Sequence, residues 1–297
     1  MTLRTAHRLL NEAIAQNAEA DAQLTAEINA TIDQGLRRLQ GVLRQQYSSL
    51  QNAGTLQINE GVIMATLGDA LVLLPLAQRR QWQQRYEELT AAALLLGTDA
   101  GTETALALDG ETVRPGTQDN PDESDSARRL YNHIENLRTE AIAAIIAGLQ
   151  QNQSVARVNS TIAVQAGKKK GRIEAIAATR NHNALIAGTT AAMLLMRTQS
   201  EYDIWNVSFS ERTCGYCLAR DGNVYKRGDA FIPAHARCRC FFTAYHPKWD
   251  DPVFRRENHE RSLAALEEAG RSPNYGATSF EKNAGLEAPK PYLRAIV

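Results

Sequence analysis

Cysteine is absent from the first 213 residues of this 297-residue chain and from the last 57. All four, Cys214, Cys217, Cys238 and Cys240, fall within 27 residues. A disulfide scaffold spreads its staples across a fold, so this clustering argues against one and points to metal ligation in a reducing compartment. Net charge is lacking as well. The 33 Lys and Arg balance 33 Asp and Glu, so no global field draws the molecule to nucleic acid or acidic lipid, and any such contact is local. No window approaches the roughly 18 apolar residues that span a bilayer, and Met1-Thr2-Leu3-Arg4 leads into a polar stretch with no apolar signal core. The expectation is a protein made and kept in the cytosol. Internal repeats are also absent, and the length suits one large or two modest domains.

What is present is mostly helical periodicity. Leu24, Ile28, Ile32, Leu36, Leu39, Leu43, Tyr47 and Leu50 step by three or four, which predicts an amphipathic helix over 21–50 packed against a neighbour. A second helical run over 62–96 contains Pro75, which removes a backbone donor and kinks or splits it. The two form a helical hairpin or bundle over 1–97. Glycines and prolines from Gly97 to Pro121, followed by acidic residues, read as a linker over 98–125. Periodicity resumes at Leu130, Ile134, Leu137, Ile142, Ile145 and Leu149, and a short helix follows over 155–166. Gly167-Lys168-Lys169-Lys170-Gly171 then reads as a solvated loop whose lysines are candidates for phosphate or partner contact. An Ala-rich helix over 172–196 leads to a strand around Tyr202, Ile204, Trp205, Val207 and Phe209. The last region, 248–297, reads as a charged helix around 257–269 and an extended docking arm carrying Phe280, Leu286, Tyr292, Leu293 and Ile296.

The chemistry is concentrated in residues 212–240, spaced C-x2-C-x17-H-x2-C-x-C. Two residues between Cys214 and Cys217 let a tight turn aim both sulfurs at one point, and His235 with Cys238 or Cys240 completes a tetrahedron. A ligand set of this type without carboxylates favours zinc, and a closed four-ligand site is structural. Five candidates for four places put one of Cys238 and Cys240 outside the metal's ligands. Asp221-Gly222 is a turn former. The expected fold is mainly α, with a C-terminal helical module over 126–247 that carries a small zinc-binding β-hairpin knuckle.

The same segment resembles the phage head morphogenesis proteins of the Mu F-like type, the minor head proteins. Their signature runs from a helix like R-A-x-x-I-A-R-T-E through a Trp-bearing strand, D-x-R-T-C-x-x-C and L-D-G to P-x-H-x-x-C-R-C. Residues Arg172 to Arg180, Trp205, Arg212 to Cys217, Asp221-Gly222 and Pro233 to Cys240 match it in order. The likeness covers about residues 126–245. Arg180 replaces the family's Glu, and Ala219-Arg220 stand where Leu precedes Asp-Gly. The resemblance implies a virion component at the portal vertex, acting in head assembly or in DNA packaging or ejection. Its implied partners are portal and major capsid proteins, and its implied location is the host cytoplasm during assembly and then the virion head.

Between Gly167 and Cys240 there are twelve Lys and Arg against six Asp and Glu. This local surplus admits non-specific DNA contact, with Arg212, Arg237 and Arg239 beside the lysines as candidate donors. The competing reading is a zinc-containing nuclease or transferase using His182, His235 or His246 as base. A nuclease needs carboxylates or histidines around a hydrolytic metal, and no second cluster supplies them, so the chain is read as a binding protein without turnover.

Overall fold

The computed structural model describes residues 3–52, 59–73, 75–109, 123–193, 200–209, 213–230, 232, 238–273 and 291–294, and of residues 76, 107, 109 and 123–131 the backbone alone. The chain is mainly helical with one small antiparallel sheet. Its helices are α1 (Leu3–Asn52), α2 (Glu60–Leu67) with a following 3-10 turn (Gly68–Leu71), α3 (Leu76–Asp109), α4 (Glu123–Gln150), α5 (Val155–Ala192), α6 (Gly215–Leu218) and α7 (Pro252–Glu268). Strands β1 (Tyr202–Asn206), β2 (Val224–Lys226) and β3 (Phe241–Tyr245) form the sheet. Two compact units result: a helical unit of Asp21–Glu88 and Pro121–Ala177, and a knuckle unit of Met1–Ala20, Leu89–Asn120 and Ala178–Val297. Helices α1, α3 and α5 each give one stretch to each unit, so the division differs from the expected boundaries at 97, 125 and 247.

In the helical unit the apolar stripe of α1 from Leu24 to Leu50 is buried at all eight positions, and so are Ile134, Leu137, Ile142, Ile145 and Leu149 of α4. Burial of that size, about 25 cal/mol per Å², outweighs the weak intrinsic preference of any single helix. Pro75 splits the second helical run: Gly68 ends α2 with a positive φ of 42°, and the Pro75 carbonyl accepts from the Arg79 N–H at 3.0 Å as α3 begins. The Tyr47 hydroxyl donates to the Gln153 carbonyl at 2.8 Å and ties α1 to the turn between α4 and α5.

Helix α5 corrects the reading of residues 167–171 as a loop, because it runs unbroken through both glycines. Ala166 and Ile173 on either side are buried, while the lysines between them find carboxylates. Lys169, itself buried, pairs with Glu140 at 2.7 Å, and Lys170 pairs with Asp33. Packing and charge pairing together offset the roughly 0.5–1 kcal/mol that each helical glycine costs. Lys168 is exposed.

Of the glycines read as linker signals, Gly97 and Gly101 are contact residues of the knuckle unit, while Gly110 and Gly116 lie outside the described residues. Helix α3 continues to Asp109, and a Cβ added at Gly97 would lie 2.0 Å from the Leu185 carbonyl oxygen of α5. One added at Gly188 would lie 2.2 Å from the Leu94 carbonyl oxygen of α3. The absent side chains let two helix backbones touch. Thr90 donates to the Asn181 side-chain oxygen at 2.9 Å in the same contact.

The sheet has the order β2-β1-β3, so β1 is central and the expected two-stranded hairpin is one strand short. Tyr202 faces Lys226 on one side and Tyr245 on the other. Trp205 is fully buried with Tyr216, Tyr225 and Phe242 edge-on to its ring at 6.0, 6.0 and 5.5 Å. Phe241 packs with Leu10, Ala184 and Leu185, while His7 sits between the rings of Phe241 and Phe254 at 5.5 and 5.2 Å.

Part of the expected docking arm belongs to this unit. The Val224 N–H donates to the Leu293 carbonyl at 2.8 Å, and the Tyr292 N–H donates to the Val224 carbonyl at 2.7 Å. Tyr292 stacks on Tyr202 with ring centroids 4.0 Å apart, and Leu293 packs against the group formed by Leu3, Ile204, Val224, Tyr245 and Phe254. An edge strand offers unpaired backbone groups, and the C-terminal residues cover that of β2. Phe280, Leu286 and Ile296 lie outside the described residues.

Thermal unfolding followed by circular dichroism tests these contacts. Gly167→Ala, where nothing lies within 4 Å of the new Cβ, stabilises by about 0.5–1 kcal/mol. Gly97→Ala destabilises by about 1–3 kcal/mol, because a backbone oxygen must move. A neutral or harmful Gly167→Ala would speak for a loop at 167–171. Removing residues 291–297 lowers the melting temperature by about 2–4 °C, corresponding to roughly 1 kcal/mol in a chain of this size; an unchanged value would return Tyr292 and Leu293 to a free arm.

Candidate metal centre

The four cysteines lie on two short segments. Cys214 caps α6: its backbone is extended, and its sulfur accepts from the Cys217 N–H at 3.5 Å. That single turn brings Cys214 and Cys217 to one side, as C-x2-C spacing requires. Gly215 allows it, since a Cβ there would lie 2.1 Å from the Ser272 carbonyl oxygen. Cys238 and Cys240 precede β3, where alternate residues of an extended chain share a side. The register of β3 on β1 fixes their approach, with Phe241 opposite Asn206 and Phe242 opposite Trp205.

The sulfurs of Cys217, Cys238 and Cys240 all lie within 4.8 Å of one another, and this buried group could hold a metal ion. Cys217 and Cys238 are 3.9 Å apart, sulfur to sulfur. A disulfide needs about 2.05 Å, and none of the four cysteines is in one. Two sulfurs at tetrahedral positions about 2.3 Å from zinc lie about 3.8 Å apart, close to the distance found. Cys214 adjoins the group: hydrogen bonding with its thiol is the largest influence pushing the Cys217 thiol well up, followed by Cys238, Cys240 and burial. Burial chiefly pushes Cys240 up. Thiolates crowded this way repel one another without a cation, and a divalent ion reverses that preference.

Cys238 and Cys240 both belong to the buried group with Cys217. His235, Arg212 and Arg237 lie outside the described residues. Arg239 is half-buried between the two cysteines. Of the candidate bases, His182 is buried and its Nε2 lies 2.8 Å from the Cys240 carbonyl oxygen. His246 Nδ1 accepts from the Lys248 N–H at 3.1 Å, with its ring 5.3 Å from that of Trp249.

Asp221 has a larger part than turn formation. Gly222 takes φ +73°, and the turn is gripped by one face of α7. Ser262 donates to Asp221 Oδ2 at 2.7 Å, His259 Nδ1 donates to the Asp221 carbonyl at 2.8 Å, and Arg255 donates to the Gly222 carbonyl at 3.2 Å. The Val207 N–H completes the set at 2.9 Å from Asp221 Oδ1. The spacing of Arg255, His259 and Ser262, three and four residues apart, was visible in the sequence as a polar stripe without an indicated partner. This clamp holds the segment between α6 and β2 against α7. The chain matches no family model, no curated protein and no solved structure. Its function is therefore argued from the site itself.

Burial raises Asp221 to about 6 from 3.8, against the lowering effect of Ser262, Val207, Arg261 and Gly222. A carboxyl raised on folding contributes stability that is complete below its unfolded value and fades as pH climbs through about 6. At 1.36 kcal/mol per unit the ceiling is about 3 kcal/mol. His7, lowered to about 4 by burial and then by Arg261, acts in the opposite sense. The informative quantity is therefore the difference between parent and Asp221→Asn. The parent's melting temperature should fall relative to the variant's as pH rises from 4 to 6; parallel curves would contradict a buried, ionising Asp221.

Proposed function

We propose that the protein is a minor head protein of a phage, acting by binding at the portal vertex during head assembly or DNA packaging and ejection. The observation carrying this reading is the ordered set Arg172 to Arg180, Trp205, Cys214-x2-Cys217, Asp221-Gly222 and Cys238-x-Cys240. Its support lies in the positions of those residues, since Cys217, Cys238 and Cys240 meet in one buried group, Trp205 packs in the same core cluster, and Asp221 is buried. Zinc is the proposed ion, held by four of Cys214, Cys217, His235, Cys238 and Cys240. Four such ligands saturate a tetrahedral zinc and leave no position for water, so the ion fastens the fold and performs no hydrolysis.

Portal and major capsid proteins are the proposed partners, met in the host cytoplasm and kept in the virion head. DNA contact, if made, is through phosphates and is weak and salt-sensitive. Lys168 is the exposed member of its lysine run, whereas Lys169 and Lys170 are engaged in ion pairs.

The purified protein should carry about one zinc per chain. Cys217→Ser should lose it and unfold the knuckle unit, because the binding energy of a structural zinc, about 10 kcal/mol or more, is folding energy. Metal analysis with thiol titration checks this, and zinc-free protein with four reactive thiols and an intact fold would contradict it. For function, co-expression with the portal and major capsid proteins of the same genome should yield particles containing this chain, and fewer with Cys217→Ser. Particles that exclude it, or DNA cleavage or transfer of label from NAD that disappears in His182→Gln, would defeat the assembly reading.

A further inference from the structure

We infer that His182 is the positioning residue of the metal centre, holding the Cys240 carbonyl so that Cys238 and Cys240 both present sulfur to one point. The inference rests on the metal reading above and concerns a residue outside the proposed ligand set. A carbonyl oxygen only accepts, so at 2.8 Å the His182 Nε2 carries the proton and donates it. In the neutral ring Nδ1 is then the lone-pair nitrogen, and it is buried with no hydrogen-bond partner among the described residues. A leucine of similar volume would fill this space with no unsatisfied atom of its own. What the imidazole adds is the single bond to Cys240.

The site of that bond explains its use. Cys240 is the last residue before β3, whose first residue, Phe241, is already fixed opposite Asn206 of β1. Its carbonyl is therefore the nearest handle by which the preceding extended step can be held from the other side. Helix α5 offers a rigid anchor. Asn181, adjacent to His182, receives a hydrogen bond from Thr90 at 2.9 Å, and Gly188 rests against the Leu94 carbonyl of α3. Leu185, one turn on, is buried in the group that contains Phe241. Donors behind a metal's ligands orient them and, when removed, typically weaken binding about 10–100-fold.

The test uses the full chain, freed of metal and titrated with cobalt(II) alone, in parent, His182→Leu and His182→Gln forms. The parent should take one cobalt per chain with intense thiolate-to-cobalt charge-transfer and tetrahedral bands. His182→Leu should bind about 10–100-fold more weakly, with altered band intensities. His182→Gln, whose amide N–H can reach the same carbonyl, should recover most of the affinity and the parent spectrum. Equal affinity and spectrum in His182→Leu and parent would overturn the positioning role while leaving the metal site standing. A parent without thiolate-to-cobalt bands would overturn the metal reading beneath it. If His182→Leu does not fold, hydrogen exchange at the parent's His182 imidazole decides: the Nε2–H should exchange more slowly with metal bound than after chelation, and identical rates would overturn the inference.

Discussion

The thiols of Cys217, Cys238 and Cys240 meeting in one dry place, with Cys214 beside Cys217, is the constraint on which the knuckle unit turns. Each is nearly inaccessible to water, and crowding and burial push Cys217 and Cys240 away from the thiolate form. A small hydrophobic core has little reason to collect its sulfurs in this way unless a cation neutralises them. The surrounding elements follow from that demand. Helix α6 is a single turn long because its work is to aim Cys214 and Cys217. Strand β3 lies on β1 in the register that delivers Cys238 and Cys240, and α7 grips the Asp221-Gly222 turn that leads from one cysteine pair toward the other.

Much of this arrangement was legible in the sequence because it rests on local periodicity. Every residue of the stripe from Leu24 to Leu50 is buried, Pro75 ends one helical run and opens the next, and Trp205 lies on a strand. The cysteine spacing pointed to a group that could hold a metal ion, although it left both Cys238 and Cys240 in competition for one place. Both sulfurs lie in one group with that of Cys217, a meeting that the spacing alone does not show.

The misread segments share a cause. Gly97, Gly101, Gly167 and Gly171 carry the composition of breaks, but a helical glycine also appears where two backbones touch or where neighbouring side chains secure the helix. Only tertiary contact distinguishes these cases: Leu185 and Leu94 across α3 and α5, and Glu140 and Asp33 beside the lysines. Tyr292 and Leu293 were assigned to an outside partner for a similar reason, since two apolar residues in a polar tail do not reveal that β2 is an edge strand awaiting them. His182 and Ser262 were invisible as supports, because each acts on a residue at least 41 positions away in sequence.

The function we propose is that of a protein that binds and holds, its cysteines engaged by a metal ion. X-ray absorption at the zinc edge of the purified protein addresses that claim most directly. Four protein ligands, with sulfur neighbours at about 2.3 Å, at most one nitrogen and no oxygen, is the result the account predicts. An oxygen neighbour, revealing a site open to water, or a sphere without sulfur would contradict it.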